Sequence, residues 1–200
     1  MKTESNYRPL PKTPVSTEGC HLLDAFNPPA VNVDSAALQV MTDLSQVPSA
    51  TITADATLDD ANHSMLVRGV RMLFVVGEDK HIIVGLVTSI DILAEKPVLI
   101  AQKRELKRSD LRVADIMTPV DKLEAVGIDD VRAANVGSIL ATLKQDGRAH
   151  AIVVGPGPQG QQALLGIFSA SQIARQLGVQ VHAHEMARTF AEIEAVIAGV

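Results

Sequence analysis

The chain has 200 residues, which is enough for one ordinary domain or two small ones. Acidic residues outnumber basic ones by 23 to 18, and the chain has four Phe, one Tyr and no Trp. This composition argues against a nucleic-acid binder, which needs basic surface and aromatic stacking. No apolar run approaches the ~18 residues of a membrane span, and the single Cys20 excludes an internal disulfide. We therefore expect a cytoplasmic protein that binds neither nucleic acid nor membrane.

The N-terminal region is rich in proline and shows neither helical nor strand periodicity. We predict that residues 1–33 form an extended arm, which is disordered or lies on the surface of this domain or of a partner. Asp34 has the side chain of a helix N-cap, and the apolar residues that follow it predict a short helix over residues 35–42.

A regular series of elements begins at Thr57. Thr57 and Asp60 have the spacing of a helix N-cap and its N3 acid, and the helix that they begin ends at Gly69. The apolar run 72–76 predicts a strand, and a polar turn follows it. Residues 82–87 predict a second strand, which leads directly into another helix.

The same series returns 78 positions later. The turn at residues 155–160 is longer than its counterpart, so that the offset after it becomes 81. Insertions are best tolerated in surface turns, and the length change therefore supports an internal repeat. The matched pairs are Thr57 with Asn135, Gly69 with Gly147, Gly85 with Gly166, and Thr88 with Ser169.

Each repeat is predicted as helix–strand–helix–strand–strand–helix and is small for independent stability. Strands such as 72–76 are apolar throughout, so both faces of each sheet must be covered. We predict an α/β (α+β) fold in which the two repeats pack sheet to sheet about a pseudo-twofold axis, with an N-terminal arm and a C-terminal helix. Ligand sites would lie in the clefts between the repeats.

The predicted organisation has five parts: an arm over 1–33, a first repeat over 34–96, a linker over 97–110, a second repeat over 111–178, and a C-terminal amphipathic helix over 179–200. The basic residues around the linker indicate a solvated helix face. In the C-terminal helix, an apolar stripe would pack on this domain or on a second copy; it consists of Met186, Phe190, Ile193 and Ile197.

Two stretches of the sequence resemble the signature of the CBS (cystathionine β-synthase) domain. Residues 85–93, GLVTSIDIL, are similar to its strand that ends in Gly-x-x-Thr/Ser-x-x-Asp before a helix. Residues 113–119, VADIMTP, are similar to the opening of a repeat, and residues 41–43 resemble the same opening with Asp43 in place of proline. The resemblance covers residues 36–178 and implies a paired regulatory module, often called a Bateman module.

The resemblance implies a ligand that contains adenosine: AMP, ADP, ATP or S-adenosylmethionine. A module of this kind regulates a partner protein through differential affinity for two states. We therefore predict a regulatory sensor that is a homodimer and not an enzyme, with no obligatory cofactor and no metal. The alternative is a structural or protein-interaction module whose clefts have lost ligand affinity.

Thr88 and Asp91 are the first candidates for ligand contacts. Thr88 lies where a strand ends and a helix begins, and there backbone N–H groups and the helix dipole favour a phosphate or ribose oxygen. The resemblance assigns the two ribose hydroxyls to Asp91, whose charge keeps phosphate elsewhere. A helix cap with an acid in the first turn would show the same residues, and the resemblance favours the ligand role.

Basic residues are candidates for binding phosphate. Arg71 precedes the strand that begins at Met72, at a position similar to one where nucleotide-sensing CBS proteins often carry a basic residue. Arg148 and a protonated His150 lie close to the equivalent place in the second repeat. A solvated charge at the edge of a strand would explain Arg148 and His150 equally well, and Arg71 is the better candidate for binding phosphate.

The remaining site predictions concern adenine and the second repeat. The resemblance places adenine at Ala50, Thr51 and Ile52, which would also suit an ordinary strand entry. In the second repeat Ser169 keeps the hydroxyl, but Gln172 stands in place of the aspartate and would hold a ribose diol less firmly. We predict one competent nucleotide site and one degenerate site.

Overall fold

The computed structural model describes residues 10–20, 29–79, 81–179 and 190–195. Its α-helices are α1 (Leu58–Arg68), α2 (Ser89–Leu93), α3 (Lys96–Lys103), α4 (Val113–Ile116), α5 (Ile128–Ala133), α6 (Val136–Gln145) and α7 (Ala170–Gln176). Its strands are β1 (Thr42–Asp43), β2 (Thr51–Thr53), β3 (Met72–Val76), β4 (Ile83–Thr88), β5 (Thr118–Pro119), β6 (Ala125–Gly127), β7 (His150–Pro156) and β8 (Gln162–Ser169). Short 3-10 helices cover Ala37–Val40, Arg108–Asp110 and Val120–Lys122, and residues 190–195 are also helical.

The strands form two sheets of the same design. One sheet has the order β2-β3-β4-β5 and the other has the order β1-β8-β7-β6. In each sheet a parallel pair, β2 with β3 or β6 with β7, adjoins an antiparallel hairpin. We call the sheet that contains β3 and its helices the first unit, and the sheet that contains β7 and its helices the second unit. The mixed α+β architecture with tandem repeats is confirmed.

Backbone hydrogen bonds repeat at matching places in the two units. The Ser89 N–H donates to the Arg71 carbonyl over 2.9 Å, and the Ala170 N–H donates to the Ala149 carbonyl over the same distance. Both bonds fix the first residue of a helix beside the start of a neighbouring strand. The pseudo-twofold relation predicted from the repeat therefore extends to the positions from which a cleft is built.

The opening strand of each repeat pairs with the sheet of the other repeat. Strand β5 follows the linker yet pairs with β4, with Gly85 opposite Pro119. Strand β1 lies near the N-terminal end of the described fold yet pairs with β8, with Thr42 opposite Ile167. The opening segment of each repeat therefore packs against the sheet of the other unit.

Three apolar clusters follow from this exchange. The core of the second unit includes Ala37 and Val40 from the start of the first repeat. The core of the first unit includes Leu111, Val113 and Ile116 from the start of the second repeat. A third cluster lies between the two sheets and consists of Met72, Phe74, Leu86 and Ile152, with five partly buried residues around it. Burial of both sheet faces, which the all-apolar β3 predicted, is confirmed.

Local signals in the sequence predict helix α1 and its limits correctly. The Thr57 hydroxyl accepts from the Asp60 N–H over 3.0 Å, and the Asp60 carboxylate accepts from the Thr57 N–H over 3.3 Å. Gly69 ends the helix with φ +64°, a left-handed conformation that glycine adopts without strain. Asn135 caps α6 in the same way, accepting from the Ser138 N–H over 2.9 Å.

The predicted helix over residues 35–42 is wrong. The structure has a four-residue 3-10 helix, Ala37–Val40, whose N-cap is Ala36 and not Asp34. The residues after it extend because Thr42 and Asp43 pair with β8. Each repeat therefore contains a short strand before its longer ones, and the predicted order helix–strand–helix–strand–strand–helix is corrected at this point.

The ends of the fold lie on the second unit. Val31 donates its N–H to the Gln176 carbonyl over 3.0 Å, and the Gln176 side chain donates to the Pro29 carbonyl over 3.3 Å. Residues 10–20 of the predicted arm are exposed, and the rest of the arm up to residue 28 lies outside the described residues. Ile193 is buried in the core of the second unit with Phe190 beside it. The predicted Met186 and Ile197 contacts lie outside the described residues.

Within the described ranges, the helices are too short or too polar for any of them to cross a bilayer.

Candidate functional site

A cleft of about 460 Å³ opens between the two units. The first unit contributes Arg71, Thr88 and Asp91 to its lining, and the second unit contributes Glu124, Arg148 and His150. The structure thus brings together five residues that the sequence predicted as ligand contacts, and adds Glu124. The cleft collects both charge signs and lies where the pseudo-twofold packing predicts a cavity.

Thr88 and Asp91 form a complete capping box at the start of α2. Asp91 Oδ2 accepts from the Thr88 N–H over 3.0 Å and from the Thr88 hydroxyl over 2.7 Å. The Asp91 N–H donates back to the Thr88 hydroxyl over 3.3 Å. The two residues are therefore a helix cap and part of the cleft lining at the same time, so that both interpretations of the sequence apply to them.

The second oxygen of Asp91 faces Lys96. Lys96 Nζ lies 2.8 Å from Asp91 Oδ1, and the side chains are 40% and 18% exposed. Oδ2 already accepts two hydrogen bonds, whereas Oδ1 accepts one and keeps a second lone pair. A hydroxyl in the cleft would therefore bond Oδ1, beside Lys96.

Arg71 and His150 face the same space from different sheets. Burial, together with the positive charge of Arg71, lowers the pKa of His150 from 6.5 to about 4. The imidazole is consequently neutral at pH 7 and is not the protonated group that the sequence suggested as a phosphate contact. A neutral imidazole still donates one hydrogen bond and accepts another.

Glu124 and Arg148 form an ion pair at the edge of the cleft. Glu124 Oε2 lies 3.7 Å from Arg148 Nη2, and the two side chains are 81% and 42% exposed. Such an exposed pair adds little to stability. Its position in the lining places an acceptor and a donor side by side at the cleft.

The floor of the cleft is apolar. Leu86, Leu123 and Ile152 line it and belong to the cluster between the sheets. The predicted adenine slot does not lie there: Ala50 and Ile52 pack against the core of the first unit, and Thr51 pairs with Phe74 in the sheet. None of Ala50, Thr51 and Ile52 belongs to the lining found for this cleft.

Leu123 and Glu124 line the cleft but were not predicted from the sequence. They precede β6, which corresponds to β2 because Ala125 pairs with Ile152 as Thr51 pairs with Phe74. Leu123 and Glu124 therefore occupy the places of Ser49 and Ala50 in the repeat. Leu123 and Glu124 thus line the cleft with Thr88 and Asp91 but come from the other unit. An alignment of the two repeats that extended to residue 125 would have identified them.

Residues 36–97 match the family model of the CBS domain. The match covers the first of the two repeats. The second repeat shares the sheet order, the helix caps and the strand exchange of the first, as described above. The resemblance noted in the sequence is thus confirmed, whereas no curated protein matches the chain.

Three solved structures are similar to this chain. An uncharacterized conserved protein from Pyrococcus horikoshii is 19% identical, with a TM-score of 0.53, and the match covers 76% of this chain and 99% of that one. CBSX2 in complex with AMP is 22% identical, with a TM-score of 0.48 and coverage of 70% and 94%; CBSX2 comes from Arabidopsis thaliana. A protein with CBS domains from Burkholderia ambifaria MC40-6 is 26% identical, with a TM-score of 0.49 and coverage of 68% and 88%.

The equivalent position in the second repeat is arranged differently. Gln172 Oε1 accepts from the Thr42 hydroxyl over 3.1 Å, so its carbonyl oxygen is engaged by the exchanged strand β1. The Ser169 hydroxyl lies 3.0 Å from the Ser171 hydroxyl and does not cap α7. Where the first repeat presents a carboxylate, the second presents an amide that is already bonded.

Proposed function

We propose that this CBS pair is a regulatory module that binds an adenosine-containing ligand in the cleft between its repeats and so modulates a partner protein. AMP, ADP, ATP and S-adenosylmethionine are the candidate ligands. The observation that carries the proposal is the meeting of Thr88 and Asp91 from one unit with Arg148 and His150 from the other in one cleft. We assign it a regulatory and not a catalytic role.

The ribose would bind at Asp91. Its Oδ1 has acceptor capacity left, and the Lys96 ammonium beside it limits the free negative charge. The phosphates would lie near Arg71 and His150, where a guanidinium and a neutral imidazole donate hydrogen bonds. The net charge of −5 does not attract anions over long distances, so these local donors would account for phosphate affinity.

Because the cleft lies between the units, a ligand that contacts both would favour one relative geometry of the pair. That geometry changes a partner only if the ligand binds the two states with different affinity. We propose the same module as a cytoplasmic homodimer. Its second copy would cover exposed apolar side chains on the helices of the first unit, which include Leu66, Val67, Val98 and Leu99.

The test uses two aspartates that have the same local role. Asp91→Ala and Asp60→Ala each remove the acid of a Thr-x-x-Asp capping box, but Asp60 belongs to α1 and lies outside the cleft lining. Isothermal titration with the four ligands should give tight binding of at least one to the wild type. Asp91→Ala should weaken it about tenfold or more, as expected for a lost charged hydrogen bond, while Asp60→Ala leaves it unchanged. Equal affinity of both variants would contradict the proposed site.

A second candidate function is a protein-interaction module without a ligand. The bonds of Gln172 with Thr42 and of Ser169 with Ser171 favour it for the second repeat, because the polar groups there satisfy each other. Under this alternative none of the four ligands raises the melting temperature, since only a ligand that binds the native state stabilises it.

A further inference from the structure

We infer that Lys96, through its ion pair with Asp91, makes the cleft select phosphorylated ligands over the free nucleoside. The inference rests on the proposed function and adds to it a residue that sets the charge preference of the same site. It is carried by the 2.8 Å contact between Lys96 Nζ and Asp91 Oδ1 and by the balance of charges around the cleft.

The chain holds Lys96 at the corner between two helices. Helix α2 ends at Leu93, and α3 begins at Lys96 after only two intervening residues. Pro97 and Ala101 are the buried residues of α3, and Ala101 belongs to the core of the first unit. The Lys96 side chain is 40% exposed and does not belong to the lining found for the cleft, so it acts on a ligand through Asp91.

The second repeat provides an internal comparison. The offset of 81 places Gln172 at the position of Asp91 and Leu177 at the position of Lys96. Leu177 packs against the core of the second unit, and Gln172 bonds Thr42 instead of a cation. The acid and its lysine are thus present together in one repeat and replaced together in the other, as expected for two residues that act as a pair.

The charges around the cleft cancel when Lys96 is left out. Two positive and two negative side chains occur among the described residues that line it, and they are Arg71, Arg148, Asp91 and Glu124. His150 adds no charge at pH 7, because burial and a neighbouring arginine lower its pKa from 6.5 to about 4. The ammonium of Lys96 therefore changes the sum at the site from zero to one positive charge, which favours an anion.

A phosphate and a ribose respond to Lys96 in opposite ways. A phosphate monoester carries about −1.5 to −2 charges at pH 7, so an Asp91 carboxylate without its lysine repels a phosphate in the same cleft. A ribose hydroxyl is uncharged and donates to the carboxylate, which accepts more strongly when no ammonium shares its oxygen. Lys96 therefore favours the phosphate and slightly disfavours the sugar.

The size of the effect follows from the exposure of the pair. The Lys96 side chain is 40% exposed, so that water and salt screen its charge. One unit charge that acts through water on a doubly charged phosphate about 8 Å away changes the affinity about fivefold. We therefore expect a change of this size at low ionic strength and a smaller one at high salt.

The experiment compares AMP with adenosine by isothermal titration at low salt for the wild type, Lys96→Met, Lys96→Arg and Lys103→Met. Adenosine competes with AMP, and this displacement gives its affinity even where it binds weakly. Lys96→Arg keeps the charge. Lys103→Met is the matched control, because it removes the same charge from an exposed side chain of the same helix, about 10 Å further along its axis.

The wild type should bind AMP more tightly than adenosine. Lys96→Met should weaken AMP about fivefold, while adenosine keeps its affinity or gains slightly. Lys96→Arg and Lys103→Met should leave both affinities within about twofold of the wild type. A displaced Asp91 would instead weaken AMP and adenosine alike, so the ratio of the two affinities separates an effect of charge from one of structure.

An unchanged ratio in Lys96→Met, or a ratio lowered equally in Lys96→Arg or Lys103→Met, would overturn the inference while leaving the proposed function intact. Binding of S-adenosylmethionine to the wild type without binding of AMP would do the same. Failure of every adenosine ligand to bind the wild type would overturn both.

Discussion

At the scale of single residues, His150 makes the stability of the protein depend on pH. Its folded pKa is lowered to about 4 from 6.5, first by burial and then by Arg71. Below pH 6.5 the unfolded chain binds a proton at this residue that the folded protein does not. The free energy of unfolding therefore decreases as the pH is lowered from 6.5 to about 4. Between pH 7 and pH 5 we expect a loss of up to about 2 kcal/mol from this residue.

Urea denaturation of the wild type and of His150→Gln at the two pH values measures this contribution. The variant, which has no titrating imidazole at this position, should lose less stability between pH 7 and pH 5 than the wild type does. His63→Gln serves as the control because His63 is exposed on α1. If His150→Gln and the wild type show the same pH dependence, the imidazole is not buried in its neutral form.

The residues that could be predicted from the sequence are those with a local motif. Thr88 and Asp91 are three apart at a strand-to-helix boundary, and the structure has them bonded as that spacing implies. Leu123 and Glu124 have no such motif, since they precede a three-residue strand. Their place in the cleft follows from the pairing of β6 with β7, which is a long-range property. Burial of His150 likewise depends on packing and not on its neighbours in sequence.

At the scale of elements, the equivalent glycines Gly85 and Gly166 leave the space in which the exchanged segments at β5 and β1 approach β4 and β8 closely. A Cβ on Gly85 would lie 2.7 Å from the Thr118 carbonyl oxygen and 2.8 Å from the Met117 sulfur. A Cβ on Gly166 would lie 2.5 Å from the Met41 sulfur, with all its close neighbours in that one side chain. A methionine side chain can change rotamer, whereas a carbonyl held in a sheet cannot move alone.

Gly85→Ala should therefore destabilise the protein more than Gly166→Ala. We expect about 2–3 kcal/mol for Gly85→Ala, in the range of overpacked cores, and about 1 kcal/mol for Gly166→Ala. Urea denaturation of the two single variants gives both values. Gly160, with no atom within 4 Å but φ +82°, provides a third variant in which backbone strain acts without a clash. Equal costs at Gly85 and Gly166 would show that the Thr118 carbonyl yields as easily as a side chain.

The elements that the sequence predicted correctly are long or capped. Strand β3 was predicted with its observed limits because five consecutive apolar residues lie between Arg71 and the turn that begins at Gly77. Strands β1 and β5 have two residues each, which is too few for any periodicity. The helix predicted over residues 35–42 overlapped the first residue of β1, Thr42. Their pairing depends on the sheet of the other repeat, which lies far away in sequence.

At the scale of the whole molecule, the exchange of opening strands joins the two units into one folding unit. Each core contains residues from the start of the other repeat, and the third cluster lies between the sheets. Unfolding one unit would remove a strand and several buried side chains from the other.

Phe74→Ala tests this coupling. Phe74 is 1% exposed and contributes from the first unit to the cluster between the sheets, and its truncation should cost about 3–5 kcal/mol. Because the units share strands, hydrogen exchange measured by mass spectrometry should accelerate in α6 and α7 of the second unit as much as in α1 and α2 of the first. Ile82→Ala, at a side chain that is 59% exposed, should change neither. Acceleration confined to the first unit would mean that the repeats unfold independently, and that ligand contacts in one unit could not be transmitted to the other through their shared sheets.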